Sequence, residues 1–288
     1  MYNTSLRQRQ TLRYIPGIVY YVVSCILSII FIFPLAWMLL STFKTPAEAA
    51  KSPPTFWPSH FSLSSYTTLF NYADGIGQHI GNSVLVTGIT VVLTIIVSIL
   101  GGYGFARFPF RGKNIVFILI LMGLMIPYQV ILTPIFLILH LIGLQNTLLG
   151  LGLVYTTFSL PFAIFVMRNS FENIPGALQD AALIDGCTPL SMLYRVMLPI
   201  AYPGVITVAL FTFFYAWGEF LAALIFLTDS SKYTLPIYLV SSYSGEYGQV
   251  NWSVLQAGVA IIMLPCVVIF LLLQRYYIKG LTSGAVKA

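Results

Sequence analysis

Apolar residues fall in long runs along this chain, and polar residues collect in the short intervals between them. A run of about 20 apolar residues crosses a hydrocarbon core of about 30 Å as a helix, because lipid offers no partner to an unpaired backbone amide. Six runs qualify, at roughly 15–43, 81–106, 115–138, 148–167, 201–227 and 254–276. The pattern predicts an all-α membrane protein with six transmembrane helices. Pro34, Pro127, Pro134, Pro161 and Pro265 lie within or near the runs and predict bent axes, since each removes an intrahelical hydrogen bond. Ser98, Gly102 and Ala106 place a small residue at every fourth position, the spacing that lets two helices approach closely.

Composition agrees with the pattern. Of 288 residues, 58% are hydrophobic and only 8% charged, and the mean hydropathy is +0.88. About a quarter of an average soluble domain is charged, so this chain belongs among membrane lipid. The net charge of +6 comes from small dispersed clusters that build no continuous basic face, which argues against nucleic acid as a partner. Those clusters set orientation instead. Arg7, Arg9 and Arg13, then Arg107, Arg111 and Lys113, then Arg168 and Arg195, then Arg275, Lys279 and Lys287 fall on one side by alternation. The other side holds only Lys44, Lys51 and Lys232. Both termini are therefore expected in the cytoplasm, with the first run a retained anchor. The cysteines Cys25, Cys187 and Cys266 form no CxxC pair and read as packing residues.

Enzymatic chemistry is hard to find. No phosphate-binding loop is present, because Gly112-Lys113 is followed by Asn114 and lacks the upstream glycine; any ATP is handled by another protein. His60, His79 and His140 stand alone, without HExxH spacing, and no GxSxG elbow arranges a nucleophile. One acid, Glu219 in YAWGEFLAALIFL, falls inside a run. Two readings stand for it: it lines a polar pathway, or it hydrogen-bonds to a neighbouring helix or lies near an interface beside Trp217.

One polar stretch breaks the apolar pattern, DAALIDGCTPLSMLYRVMLPIAYPG at 180–204. It predicts two short helical pieces, 175–184 and 189–197, separated at Gly186, with Pro199 and Pro203 opening the fifth run. Asp180 lies in the early turns of the first piece, where an acid complements the helix dipole. Leu190, Leu193, Tyr194 and Met197 form an apolar stripe on the second. Such a stripe either docks a partner or packs back on its own helices.

The stretch resembles the cytoplasmic signature of ABC importer permeases, EAA, three residues, Gly, nine residues, then Ile-x-Leu-Pro. It reads here as Asp180, Ala181, Ala182, Gly186, Val196, Leu198 and Pro199, with Asp for Glu and Val for Ile. The runs from Asn82 and Tyr215 and the ending YYIKGLTSGAVKA resemble the carbohydrate-uptake branch, and within it the smaller permease of maltose-type importers. Gly218 departs from the branch's usual W-N-E-F. What this resemblance implies is a type I importer fold spanning 15–277, between tails 1–14 and 278–288. It implies half of a heterodimeric pore, partnered by a second permease, an ATPase dimer and an extracytoplasmic solute-binding protein. ATP and Mg are used by the ATPase, and no cofactor is bound by this chain. The segment 169–200 would dock on the ATPase, with Asp180, Ala181, Ala182, Asp185, Gly186, Leu198 and Pro199 as the coupling residues. The outward loop 229–253 would reach the binding protein, offering the rings of Tyr243, Tyr247 and Trp252 to sugar; an interfacial aromatic belt is the alternative. Oligosaccharide is the expected cargo, ahead of disaccharide or a glycerol phosphodiester. An ion-coupled secondary transporter is the rival, opposed by the single intramembrane acid and by the lack of an internal repeat.

Overall fold

The computed structural model describes residues 4–71, 75–242 and 251–285, and all regular structure among them is helical. The helices are α1 (Thr4–Ser41), α2 (Pro46–Ala49), α3 (Ser64–Asn71), α4 (Ile76–Arg107), α5 (Lys113–Met122), α6 (Tyr128–Leu141), α7 (Leu148–Glu172), α8 (Gly176–Ile184), α9 (Pro189–Met192), α10 (Leu198–Gly218), α11 (Leu221–Phe226), α12 (Leu235–Ser242) and α13 (Trp252–Ala285). Five helical stretches are long and apolar enough to cross a membrane, and a sixth is counted if α5 and α6 form one bent span. The chain is thus an all-α multi-pass membrane protein. Its helices divide into two compact units: α1, α2, most of α3 and the opening turns of α13 make one, and α4 to α12 with the rest of α13 make the other.

In the first unit α1 exposes its apolar side chains on all sides from Val19 to Phe33, as a helix surrounded by lipid or by another membrane chain does. The loop after it is tied by two buried charges. Lys44 Nζ donates to the Thr55 carbonyl, while Glu48 accepts from the Ser59 amide at 2.8 Å and the Thr55 hydroxyl at 3.2 Å. The hydrogen bonds from Ser59 hold the Glu48 carboxyl below its ordinary range, against the opposing effect of burial.

The second unit is built on α4, α7 and α10, which pack on one another. The small-residue spacing at Ser98 and Gly102 extends further than expected. His79, Ser83, Thr87, Thr90, Thr94, Ser98 and Gly102 recur every three or four residues, and all are buried on one face of α4. Between membrane helices, small side chains permit close backbone approach and hydroxyls bridge across it. Thr90 Oγ1 illustrates both, since it reaches its own Val86 carbonyl at 2.8 Å and the Gly152 carbonyl of α7 at 3.3 Å. At Gly102 the approach is tightest. A Cβ there would lie 2.6 Å from Met167 Cβ and 2.8 Å from the Arg168 nitrogen.

Three predicted elements differ from expectation. The run 115–138 is not one straight helix: α5 tightens into a 3₁₀ turn at Gly123–Met125, and α6 departs at 105°. Ile126 is extended, the conformation favoured before proline, and Pro127 has no N–H to continue the helix. The predicted piece 189–197 is not separate from the fifth run. A π turn, Leu193–Met197, joins α9 to α10, with the Leu198 N–H donating to the Leu193 carbonyl. This wider turn accommodates Pro199, which lacks a donor. Finally, the run 201–227 breaks at Glu219, and α11 starts anew at Leu221.

Substituting Gly102→Val is expected to separate α4 from α7 at a cost of about 1–3 kcal/mol. Gly104→Val, where a Cβ meets nothing within 4 Å, is the control. Thermal unfolding of the detergent-solubilised chain should show a lowered midpoint for the first variant and none for the second.

Candidate functional site

The stretch singled out by the sequence folds as helix, turn, helix. At the end of α8 the Asp185 N–H donates to the Ala181 carbonyl, Gly186 to Leu183 and Cys187 to Ala182, each at 3.0 Å. Gly186 takes φ +77°, the left-handed conformation that glycine adopts without steric cost. Thr188 then caps α9, accepting from the Ser191 N–H at 3.3 Å, and Pro189 occupies the first helical turn, where its missing donor costs nothing.

The candidate residues do not share one face. Asp180, Ala181, Asp185, Gly186 and Pro199 are exposed, Leu198 is half-buried, and Ala182 is buried among Tyr103, Phe171, Met192 and Met197. The apolar stripe also divides. Leu193 and Met197 pack back into the same cluster, whereas Leu190 and Tyr194 stay exposed. Across the turn, Leu183 is exposed too, and Ile184 is 87% accessible. The Gly186 turn therefore carries large apolar side chains directed away from the protein's own interior.

Two residues that sequence reasoning passed over hold this segment in place. Arg107, at the last turn of α4, donates through Nη2 to the carbonyls of Phe171 at 2.5 Å and Ile174 at 2.6 Å. Its Nη1 reaches Gln179 Oε1 of α8 at 3.3 Å. One turn earlier, the Tyr103 hydroxyl donates to the Pro189 carbonyl at 3.1 Å. Arg107 counts in the sequence only as an orienting charge; its four-residue offset from Tyr103, which puts both on one helix face, was the available signal.

Glu219 sits at the break between α10 and α11 and is 8% exposed. Its Oε1 accepts from the Ala222 N–H at 2.8 Å, and its Oε2 accepts from the Ala223 N–H at 3.1 Å and the Tyr155 hydroxyl at 2.6 Å. A buried carboxylate is stable only when so satisfied, and here it also caps the first amides of α11. The hydrogen bond to a neighbouring helix, one of the two readings of this residue, is thus present. The Tyr215 hydroxyl, on α10 one turn before Glu219, is buried without a hydrogen-bond partner among the described residues. Gly218 meets no steric demand, because a Cβ there would touch nothing within 4 Å.

At the other end of α4, polar side chains grip the loop after α11. Asn82 Nδ2 donates to the carbonyls of Ser231 at 2.9 Å and Tyr233 at 3.0 Å. His79 stacks on Tyr238 with ring centroids 4.2 Å apart, its Nδ1 2.9 Å from the Tyr233 carbonyl. This His has a structural role. Tyr243 and Tyr247 lie outside the described residues, and Trp252 is exposed at the start of α13. Among the described residues no three His, Cys, Asp or Glu side chains come together as a metal site.

The described residues thus form a multi-pass helical protein whose Gly186 turn exposes large apolar side chains. The chain belongs to the family of binding-protein-dependent transport system inner membrane components, which matches residues 94–283. It is 36% identical to the probable ABC transporter permease protein YurM of Bacillus subtilis, over 88% of this chain and 83% of that one. It is 34% identical to the arabinooligosaccharides transport system permease protein AraQ of Halalkalibacterium halodurans, over 91% and 93%. With the sulfoquinovosyl glycerol transport system permease protein SmoH of Agrobacterium fabrum it shares 33% over 93% of each. In fold it resembles a chain of a bacterial ABC transporter involved in alginate import, with a TM-score of 0.79 at 22% identity over 96% of this chain and 99% of that one.

Removing the Glu219 carboxylate should destabilise the protein. Glu219→Ala leaves two amides and a buried hydroxyl unpaired, and Tyr155→Phe removes one bond from a buried carboxyl group. Losses of about 2–4 and 1–3 kcal/mol follow. Gly218→Asn should stay within about 0.5 kcal/mol of wild type. Chemical unfolding in detergent measures all three.

Proposed function

We propose that this chain is a permease subunit of an ATP-driven ABC importer for an oligosaccharide, similar to the smaller permease of maltose-type systems. It forms half of a translocation pore with a second permease, works with an ATPase dimer, and receives cargo from a solute-binding protein. The observation that carries this reading is the exposed apolar surface at the Gly186 turn, formed by Leu183, Ile184, Leu190 and Tyr194 on a chain that has no phosphate-binding loop. Such a chain takes up mechanical work only through contact, and an apolar turn flanked by the acids Asp180 and Asp185 is suited to a groove on another protein.

On this reading both termini and the segment 169–200 face the cytoplasm, in keeping with the distribution of Lys and Arg. Asp180, Ala181, Asp185 and Gly186 meet the ATPase. Ala182 seats α8 against its own bundle, and Leu198 with Pro199 carries the motion into α10. Glu219 stands beside the pathway at the break in its helix, and Tyr243, Tyr247 and Trp252 face the binding protein and its sugar. Saccharide cargo is supported by relatives named for arabinooligosaccharides, diacetylchitobiose and sulfoquinovosyl glycerol. All three are glycosides.

Affinity purification from the native membrane, followed by mass spectrometry, tests the assembly. Wild type should bring down an ATPase and a second permease. Gly186→Asp, which puts a charge and a strained left-handed residue at the turn, should keep the permease and lose at least about nine-tenths of the ATPase, as a penalty above 1.4 kcal/mol would produce. Recovery of the wild-type chain alone, under conditions that preserve a known ABC complex, sinks the proposal. Uptake of labelled arabinotriose and diacetylchitobiose by cells with and without the gene then tests the cargo class.

A further inference from the structure

A displacement at the Gly186 turn has two covalent routes into the membrane, back through Asn173 to α7 and forward through the π turn to α10. The third helix of the core, α4, has no chain connection to the segment. It nevertheless reaches both arms of it, through the side chains of Tyr103 and Arg107.

Arg107 ends α4 facing the C-terminal end of α7, the negative end of that helix's dipole. Phe171 and Ile174, whose carbonyls it takes, are both buried. Its third acceptor, Gln179, belongs to the arm before Gly186, and the acceptor of Tyr103, the Pro189 carbonyl, belongs to the arm after it. Close seating is required for this reach. Gly102 lets α4 lie against Met167, and the Tyr103 ring stands edge-on to Phe171 at 5.6 Å. The Arg107 Nε is buried with no hydrogen-bond partner among the described residues, so the guanidinium is placed by its outer nitrogens.

We propose that Arg107 and Tyr103 are positioning residues that fasten both arms of the coupling segment to α4, so that α4 and the segment move as one piece when the ATPase pulls. The proposal rests on the importer reading above for the role of the segment, but the fastening itself belongs to this chain alone.

Two measurements separate these levels. Amide hydrogen exchange of the purified chain reads the fastening: residues 176–190 should exchange about tenfold faster in Tyr103→Phe and Arg107→Lys, as loss of a bond worth about 1.4 kcal/mol would cause. Unchanged exchange in both variants overturns the proposal whatever the ATPase does. In the purified complex, MgATP hydrolysis with and without the solute-binding protein reads transmission. The stimulation ratio should fall at least about threefold in each variant, normalised to the ATPase bound. It should recover when Gln179→Glu is added to Arg107→Lys, since the new carboxylate offers the shorter cation a partner. A ratio equal to wild type in assembled complexes of both variants overturns the transmitting role. If Arg107→Lys does not assemble, Tyr103→Phe and Gln179→Ala, each removing a single bond, decide the matter. Failure of wild type to bind any ATPase counts against the importer reading and leaves the exchange result to decide the fastening.

Discussion

Lipid gives a peptide group nothing to bond to, and that constraint shapes every feature of this protein. Helices follow from it directly. Less obvious is how the breaks in the helices are managed, because each break frees backbone groups that need a partner. At Pro127 the freed position has no donor. At Glu219 the amides of Ala222 and Ala223 are taken by a carboxylate that is itself satisfied by Tyr155. At the end of α7 an arginine from another helix donates to the carbonyls of Phe171 and Ile174. Each irregularity has its own solution.

The apolar runs made the helices legible, and Gly186 between two capped pieces made the turn legible. Both signals are local, as period and punctuation depend on neighbours in sequence. Pro127 marks the sharp change of direction between α5 and α6, whereas Pro34, Pro134, Pro161 and Pro265 lie inside continuous helices. At Pro161 the ring lies close to Gly123 of another segment. Glu219 was half legible. An acid within an apolar run signals a polar role, and the free amides three and four residues later were there to be counted, but the tyrosine that completes the arrangement is 64 residues away. Arg107 was legible only as a charge, since its acceptors lie 64 to 72 residues further along the chain.

Ala181 and Ala182 show the same limit at closer range. A motif places them side by side, and the helix turns one outward and the other into its own core. Motif membership identifies a segment; the hundred-degree step between successive residues assigns the partner of each side chain.

The helix α4 is fixed at both ends. Asn82 and His79 hold the loop after α11, Tyr103 and Arg107 hold the segment around Gly186, and a seam of small residues presses the length between them onto α7. At 1.5 Å per residue its 32 residues make a rod of roughly 48 Å. A rod held in this way has few internal degrees of freedom in which to absorb a displacement. The thermodynamic consequence is reciprocity. Any ligand that favours one position of the rod through a contact at one end alters binding at the other end by a fixed factor, and binding there returns the same factor.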